Sequence, residues 1–164
     1  MKTSRVIGSV VVAGLLLGLV APVVAQAPQS ATTNMEILAQ KLKADKKLIV
    51  AQTVGLTDVE GKAFWPIYDA YQADLAKINA RLKTAVEGYA VDYNAGTMTD
   101  AKATALTTEA IAIEEALVTL KKTYVAKLNG VIPATKIARY IQVENKVRAQ
   151  VNYELAAGIP FVNK

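Results

Sequence analysis

From Phe64 onward, apolar side chains return every three or four residues. Phe64, Tyr68, Tyr71, Leu75, Ile78, Leu82, Ala85 and Tyr89 follow at separations of 4, 3, 4, 3, 4, 3 and 4. A heptad stripe of this kind marks one face of a helix packed at a shallow angle against its neighbours. It predicts a helix from Thr57 to about Tyr93, ended in "YNAGTMTD" by Gly96, with Thr99 as the next cap. A second stripe, Ala103, Leu106, Ala110, Ile113, Leu117, Leu120 and Tyr124, predicts a helix over about 100–129, closed by Asn129-Gly130. Pro133 suits the first turn of a further helix to about residue 157, with Ile137, Tyr140, Val147, Val151 and Leu155 on its inner face. Upstream, Asn34 caps a helix over about 35–53, with Met35, Leu38, Leu42 and Ile49 near one face and Gly55 ending it. No Val/Ile-rich alternation between turns competes with these periods. The predicted fold is all-α, an elongated four-helix, hairpin-like domain with a long, kinked second helix. A thin hairpin leaves apolar surface to cover, which predicts a homodimer or a binding groove.

The second helix opens on "LTDVEGKAFWPIYDAYQ", residues 56–72, where the periodicity meets contrary signals. Thr57 and Glu60 are spaced as a capping box. Pro66 removes the donor for the carbonyl of Lys62 and crowds that turn, so a kink, or a short segment followed by a new one, is expected near residues 62–66. Apolar residues here, from Val59 through Phe64, Trp65, Tyr68 and Tyr71, spread around most of the helix. Two arrangements fit: the first and fourth helices cover both sides, or part of the aromatic patch Phe64, Trp65, Tyr68 and Tyr71 is exposed and binds apolar segments of other proteins.

Residues 1–25 stand apart. Lys2 and Arg5 precede an uncharged apolar run, Val6–Val20, and Val23-Val24-Ala25 offers a small-residue cleavage site. The pattern reads as a secretory signal peptide, too short for a membrane span. Residues 26–33 then read as a flexible polar tail, and residues 34–164 as a single helical domain. Without Lys2 and Arg5, 17 basic residues face 14 acidic ones, a net +3. That is a solubility charge and not a nucleic-acid footprint.

The composition excludes much chemistry. The chain has no cysteine and no histidine, and outside residues 1–25 its only serine is Ser30. Disulfides, a lipid-modified cysteine, zinc sites of His and Cys, and Ser/His/Asp or Cys/His nucleophiles are all unavailable. Adjacent Glu114 and Glu115 diverge on a helix, and with Glu109 they make a poor chelate. The chain is read as a non-enzyme without a cofactor or metal. Lys41, Lys43, Lys46 and Lys47 read as a solvated face, or as a basic rim for acidic clients or anionic lipid. Glu144 falls on the apolar stripe of the fourth helix, with Arg148 four residues on as a partner. Ile159, Phe161 and Val162 are expected to pack back on the bundle or to form a docking tail.

Leu56-Thr57-Asp58-Val59-Glu60 resembles the LTxxQ segment of the Spy/CpxP-like periplasmic chaperones, with Glu where that family has Gln. Phe64-Trp65-Pro66-Ile67-Tyr68 and "ARYIQVENKVRAQVNYELAAGIP" look like a subgroup of small secreted bacterial proteins in the same family. Leu106-Thr107-Thr108-Glu109-Ala110, the nearest second copy of the motif, lies mid-helix and lacks the final polar residue. The resemblance implies an antiparallel cradle-shaped dimer in the periplasm that binds unfolded or misfolded envelope proteins without ATP, with secretion to the exterior as the second location. Some relatives instead restrain a sensor kinase, so an adaptor docked on a sensor protein is the alternative. Neither role involves nucleic acid or stable membrane insertion.

Overall fold

The computed structural model describes residues 46–162. The expected signal peptide, the tail over 26–33, and Asn34, Met35, Leu38, Lys41, Leu42 and Lys43 lie outside the described residues. Four helices are described: α1 over residues 46–54, α2 Asp58–Ala95, α3 Asp100–Leu128 and α4 Ala134–Gly158. The domain is all-α and hairpin-like. Among the described residues the sole β feature is an isolated bridge between Asn129 and Ile132 in the α3–α4 turn. At about 1.5 Å per residue, α2 with its 38 residues spans roughly 57 Å.

Local chemistry places each boundary. Thr57 caps α2, and Gly96, at φ +64°, receives the chain in the left-handed region, donating its N–H to the last carbonyls. Thr99 caps α3 by accepting from the Lys102 N–H. The α4 end is closed by the Ile159 N–H on the Leu155 carbonyl at 2.9 Å.

Side-chain pairings fix the directions. Tyr71 meets Tyr124, Arg81 meets Glu109 and Asp92 meets Lys102, so α2 and α3 run antiparallel. Glu60 meets Lys136, Gln72 meets Glu144 and Tyr89 meets Pro160, so α4 runs parallel to α2. Lys47 reaches Asp69 while Gly55 faces Arg139, so α1 runs back along the first turns of α2.

All eight stripe residues of α2 are at least partly buried, yet burial is uneven. Phe64, Tyr68, Tyr71 and Leu75 are interior, as are Ile113, Leu117, Leu120, Tyr124 and Leu128 of α3 and Ile137, Tyr140 and Val143 of α4. Farther along, Ile78, Leu82, Ala85 and Val86, with Leu106, Val147, Val151 and Leu155, are half-covered, and Tyr89 is buried. The core therefore sits at the end where all four helices meet.

Three expectations are corrected. In α1 the inner face is Lys46, Val50 and Val54, an i, i+4, i+8 row, and Ile49 lies 42 % exposed outside it. At the other terminus Ile159 is half-buried and the Pro160 carbonyl accepts from the Tyr89 hydroxyl at 2.9 Å, but Phe161 is 98 % exposed. The packed-back tail thus stops at Pro160, where the hydrogen bond from Tyr89 ends. Finally, of the two outcomes expected at Pro66, a kink or a division, the division does not occur: α2 is one helix with Pro66 inside it. Pro66 and Lys62 are both exposed, so water can serve the carbonyl that loses its donor.

Pro66→Ala is expected to stabilise the chain by about 1–3 kcal/mol in urea denaturation, by restoring one helical hydrogen bond. Gly88→Ala, exposed with open space for a Cβ, provides the reference at about 0.5–1 kcal/mol. A loss of stability in Pro66→Ala, with the gain in Gly88→Ala intact, would show that the core requires the backbone shape the proline imposes.

Candidate functional site

The motif residues build a corner. Thr57 Oγ1 accepts from the Glu60 N–H at 3.3 Å, and Glu60 Oε2 accepts from the Thr57 N–H at 2.7 Å, completing the capping box. Glu60 Oε2 also accepts from Lys136 Nζ at 2.6 Å, which ties the start of α2 to α4. A glutamine would satisfy the cap but offer Lys136 no charge, which gives Glu60 a physical reason for its place in the motif. The hydrogen bond from Lys136, then that from the Thr57 backbone, holds the Glu60 carboxyl below the usual carboxylate range. Leu56 packs half-buried against the core.

The four aromatic candidates separate. Phe64, Tyr68 and Tyr71 are interior, and Trp65 is half-buried at the rim. The patch is therefore not an exposed binding surface: α1 and α4 cover it. Phe64 meets Tyr140 edge-on at 5.3 Å, and Tyr71 meets Tyr124 at 5.3 Å and Tyr140 at 5.8 Å. Edge-to-face pairs of this kind contribute about 0.5–1.5 kcal/mol each beyond the area they bury. Trp65 stands edge-on to Phe64 at 5.1 Å and to Tyr68 at 5.3 Å, with Lys47 Nζ 5.3 Å from its ring centre. Its indole lies over buried Gly61, where an added Cβ would sit 3.5 Å from Nε1.

Next to the rings lies a polar group that the sequence marked only as an oddity. Glu144 is 4 % exposed. Its Oε2 accepts from Lys46 Nζ of α1 at 3.1 Å and its Oε1 from Gln72 Nε2 of α2 at 2.8 Å. Lys46 is itself 7 % exposed, so it belongs to the interior and not to a solvated face. The expected Arg148 partner is replaced by these two. Both lie far away along the chain, so spacing within α4 carried no signal for them. Tyr140 Oη is buried and makes no hydrogen bond of ordinary length among the described residues, with the Glu144 carboxylate as its nearby acceptor. Desolvation, followed by the nearby Glu144 charge, pushes the Tyr140 phenol far above its ordinary pKa, and the same two causes act on Tyr68 and Tyr71. The Tyr124 hydroxyl donates to Asp74 Oδ2 at 2.7 Å, and that bond, then burial, raises its pKa to about 12.

Other carboxylates are engaged in surface pairs. Asp69 accepts from Lys47, Asp92 from Lys102 and Glu109 from Arg81. Asp74, Asp92 and Glu109 titrate below the usual range, chiefly through hydrogen bonds from Lys77, Lys102 and Arg81 respectively. Such carboxylates are weak bases at neutral pH. Among the described residues no three acidic side chains are gathered to hold a metal. A shallow depression of about 400 Å³ lies between α2 and α3, lined by Lys77, Ala80, Arg81, Thr84, Ala85 and Glu109. The Arg81–Glu109 pair occupies its charged groups.

Lys46→Met strands the Glu144 carboxylate and is expected to cost up to about 3–5 kcal/mol, whereas Lys46→Met with Glu144→Leu costs less than the single change. A double variant less stable than Lys46→Met in urea denaturation would refute this. The tyrosines set a base limit. A phenol with a raised folded pKa stabilises fully below its unfolded value of about 10 and loses that contribution as pH rises through the folded value. For Tyr124 the loss runs from about 10 to about 12. Phenolate absorbance of the folded chain should lag that of the chain in urea, and the denaturation midpoint should fall across this window. An unchanged midpoint would contradict it.

Comparison of the chain with protein-family models, with curated proteins and with solved structures finds no match.

Proposed function

We propose that the chain is an exported, ATP-independent holdase-type chaperone or stress-response protein of the bacterial envelope, acting on unfolded or misfolded clients as a homodimer. The observation that carries this reading is the gradient of burial along the hairpin. At the end distal to the aromatic core, α2, α3 and α4 each carry half-covered apolar side chains: Leu82 and Val86, Leu106, and Val151 and Leu155. Val91, Ile111 and Tyr153 are more exposed still. Half-covered apolar side chains beside a firmly packed base suit extended client segments, because they provide hydrophobic contact without a deep pocket to demand one shape. The LTxxQ-like segment supports the reading through its resemblance, and its capping box is complete. No described helix is long and apolar enough to cross a membrane. The scarcity of nucleophiles and the weak basicity of the shifted carboxylates favour binding over catalysis.

Purified protein should slow the aggregation of an unfolded client at near-stoichiometric ratio. Leu82→Gln with Val151→Gln should weaken that effect while helicity is kept. Absence of suppression over a wide range of ratios refutes the proposal. One stable partner in a pull-down, with no effect on aggregation, would instead indicate an adaptor docked on a sensor protein.

A further inference from the structure

The described part of α1 seats two valines and one lysine on the aromatic core. Of its side chains, Val50 and Val54 are fully buried and Lys46 makes the interior ion pair, while Leu48 and Ile49 are 58 % and 42 % exposed. At the rim Lys47 reaches Asp69 at 2.9 Å, with both side chains open to water, and lies near the rings of Trp65 and Tyr68. Screening leaves such a pair little energy.

The junction between α1 and α2 is independent of α1. Gly55, at φ +69°, turns the chain, and Thr57 and Glu60 then close α2 by themselves, with Lys136 binding Glu60 from α4. Removing α1 would therefore leave no open end on α2. It would uncover a cleft between α2 and α4, floored by Phe64, Tyr68 and Tyr140 and holding Glu144. Gln72 offers that carboxylate only a neutral donor, so an occupant without a cation would leave a charge uncompensated in an apolar site.

We propose that α1 is a releasable cover, and that the uncovered cleft takes a helical client segment with a Lys or Arg followed at +4 and +8 by small aliphatic side chains. That is the pattern α1 itself presents in Lys46, Val50 and Val54. The inference deepens the chaperone reading, on which it rests, by naming a second binding surface and the segment class it selects. Charge complementarity with Glu144 sets the cation, and the two positions filled by valine set the anchors. While α1 is seated the apparent affinity for a competing segment is reduced by the fraction of open molecules. Loosening α1 should raise it.

The full chain carrying Val50→Ala and Val54→Ala tests this with a labelled peptide of residues 46–54, "KKLIVAQTV". In the variant, hydrogen exchange should speed up over 46–54 while α2–α4 stay protected, and Trp65 emission should shift as Lys47 departs. The peptide should bind at least about tenfold more tightly than to the parent chain. A peptide with Ala in place of its first Lys should lose at least about tenfold. Glu144→Gln in the loosened chain should abolish that difference between the peptides. Equal binding to parent and variant overturns the inference, as does loss of α1 protection only together with the whole bundle. A concentration-dependent dimer of the variant that the peptide dissolves assigns the cleft to a second copy and overturns the client as occupant. If the parent suppresses aggregation and the loosened chain binds the peptide no better, the cover fails and the chaperone reading stands. If the peptide results hold but no client is protected by either chain, the chaperone reading fails and the cleft stands.

Discussion

Tyr140 holds the molecule together at one level. Its ring touches Phe64, Tyr68 and Tyr71 of α2, and Tyr71 in turn meets Tyr124 of α3. Three helices are thereby joined through edge-to-face contacts, whose geometry restricts how one helix can slide past another. Aromatic rings bury large areas on few rotatable bonds, so a cluster of this kind secures a narrow bundle that lacks the width for a broad aliphatic core. Its hydroxyls carry the cost. Tyr124 directs its own toward Asp74 at the rim, while Tyr140 keeps its Oη buried with no hydrogen bond of ordinary length among the described residues, beside the Glu144 carboxylate.

Everything away from this plug is more thinly built. Beyond Leu75 the hairpin relies on partly covered aliphatics, small residues and surface pairs such as Arg81–Glu109 and Lys102–Asp92. Small side chains permit close approach of α2 and α3 but bury little area per residue. A long α2 is consequently firm at one end and open at the other. That asymmetry, more than any single residue, is what the functional reading uses.

The heptad stripes made the helix boundaries and most of the core legible, because period and turn chemistry are local properties of a chain. Gly96, Thr99 and the Thr57–Glu60 box act within a few residues of where they stand, and the structure uses them so. Lys46 was missed for a reason of the same kind. With lysines on several sides of the first helix, Ile49 and Val50 compete for the inner face, and only the carboxylate on α4 decides between them. Glu144 announced itself by interrupting a stripe, but its partners come from α1 and α2, 98 and 72 residues away. The aromatic patch was legible as a cluster and not as to its surroundings. Whether rings at Phe64, Tyr68 and Tyr71 face water depends on which helices lie over them, and that is a tertiary fact.

The two anionic ties to α4 then work differently. Glu60–Lys136 lies at the rim, joins elements that the capping box and the aromatic plug already hold, and adds to a corner that is fixed in any case. Glu144–Lys46 lies inside, and it closes only when α1 is seated. A buried pair contributes little net stability against its desolvation cost, but losing one partner is expensive unless water reaches the other. With α1 seated the pair is satisfied; with α1 released Glu144 faces the opened cleft and water. Half-seated arrangements, in which α1 still excludes water but its lysine is out of register, leave the Glu144 carboxylate among tyrosines with only the neutral Gln72 donor. The ion pair thus penalises intermediate positions of α1, which makes its docking closer to a two-state event than its two valines alone would make it.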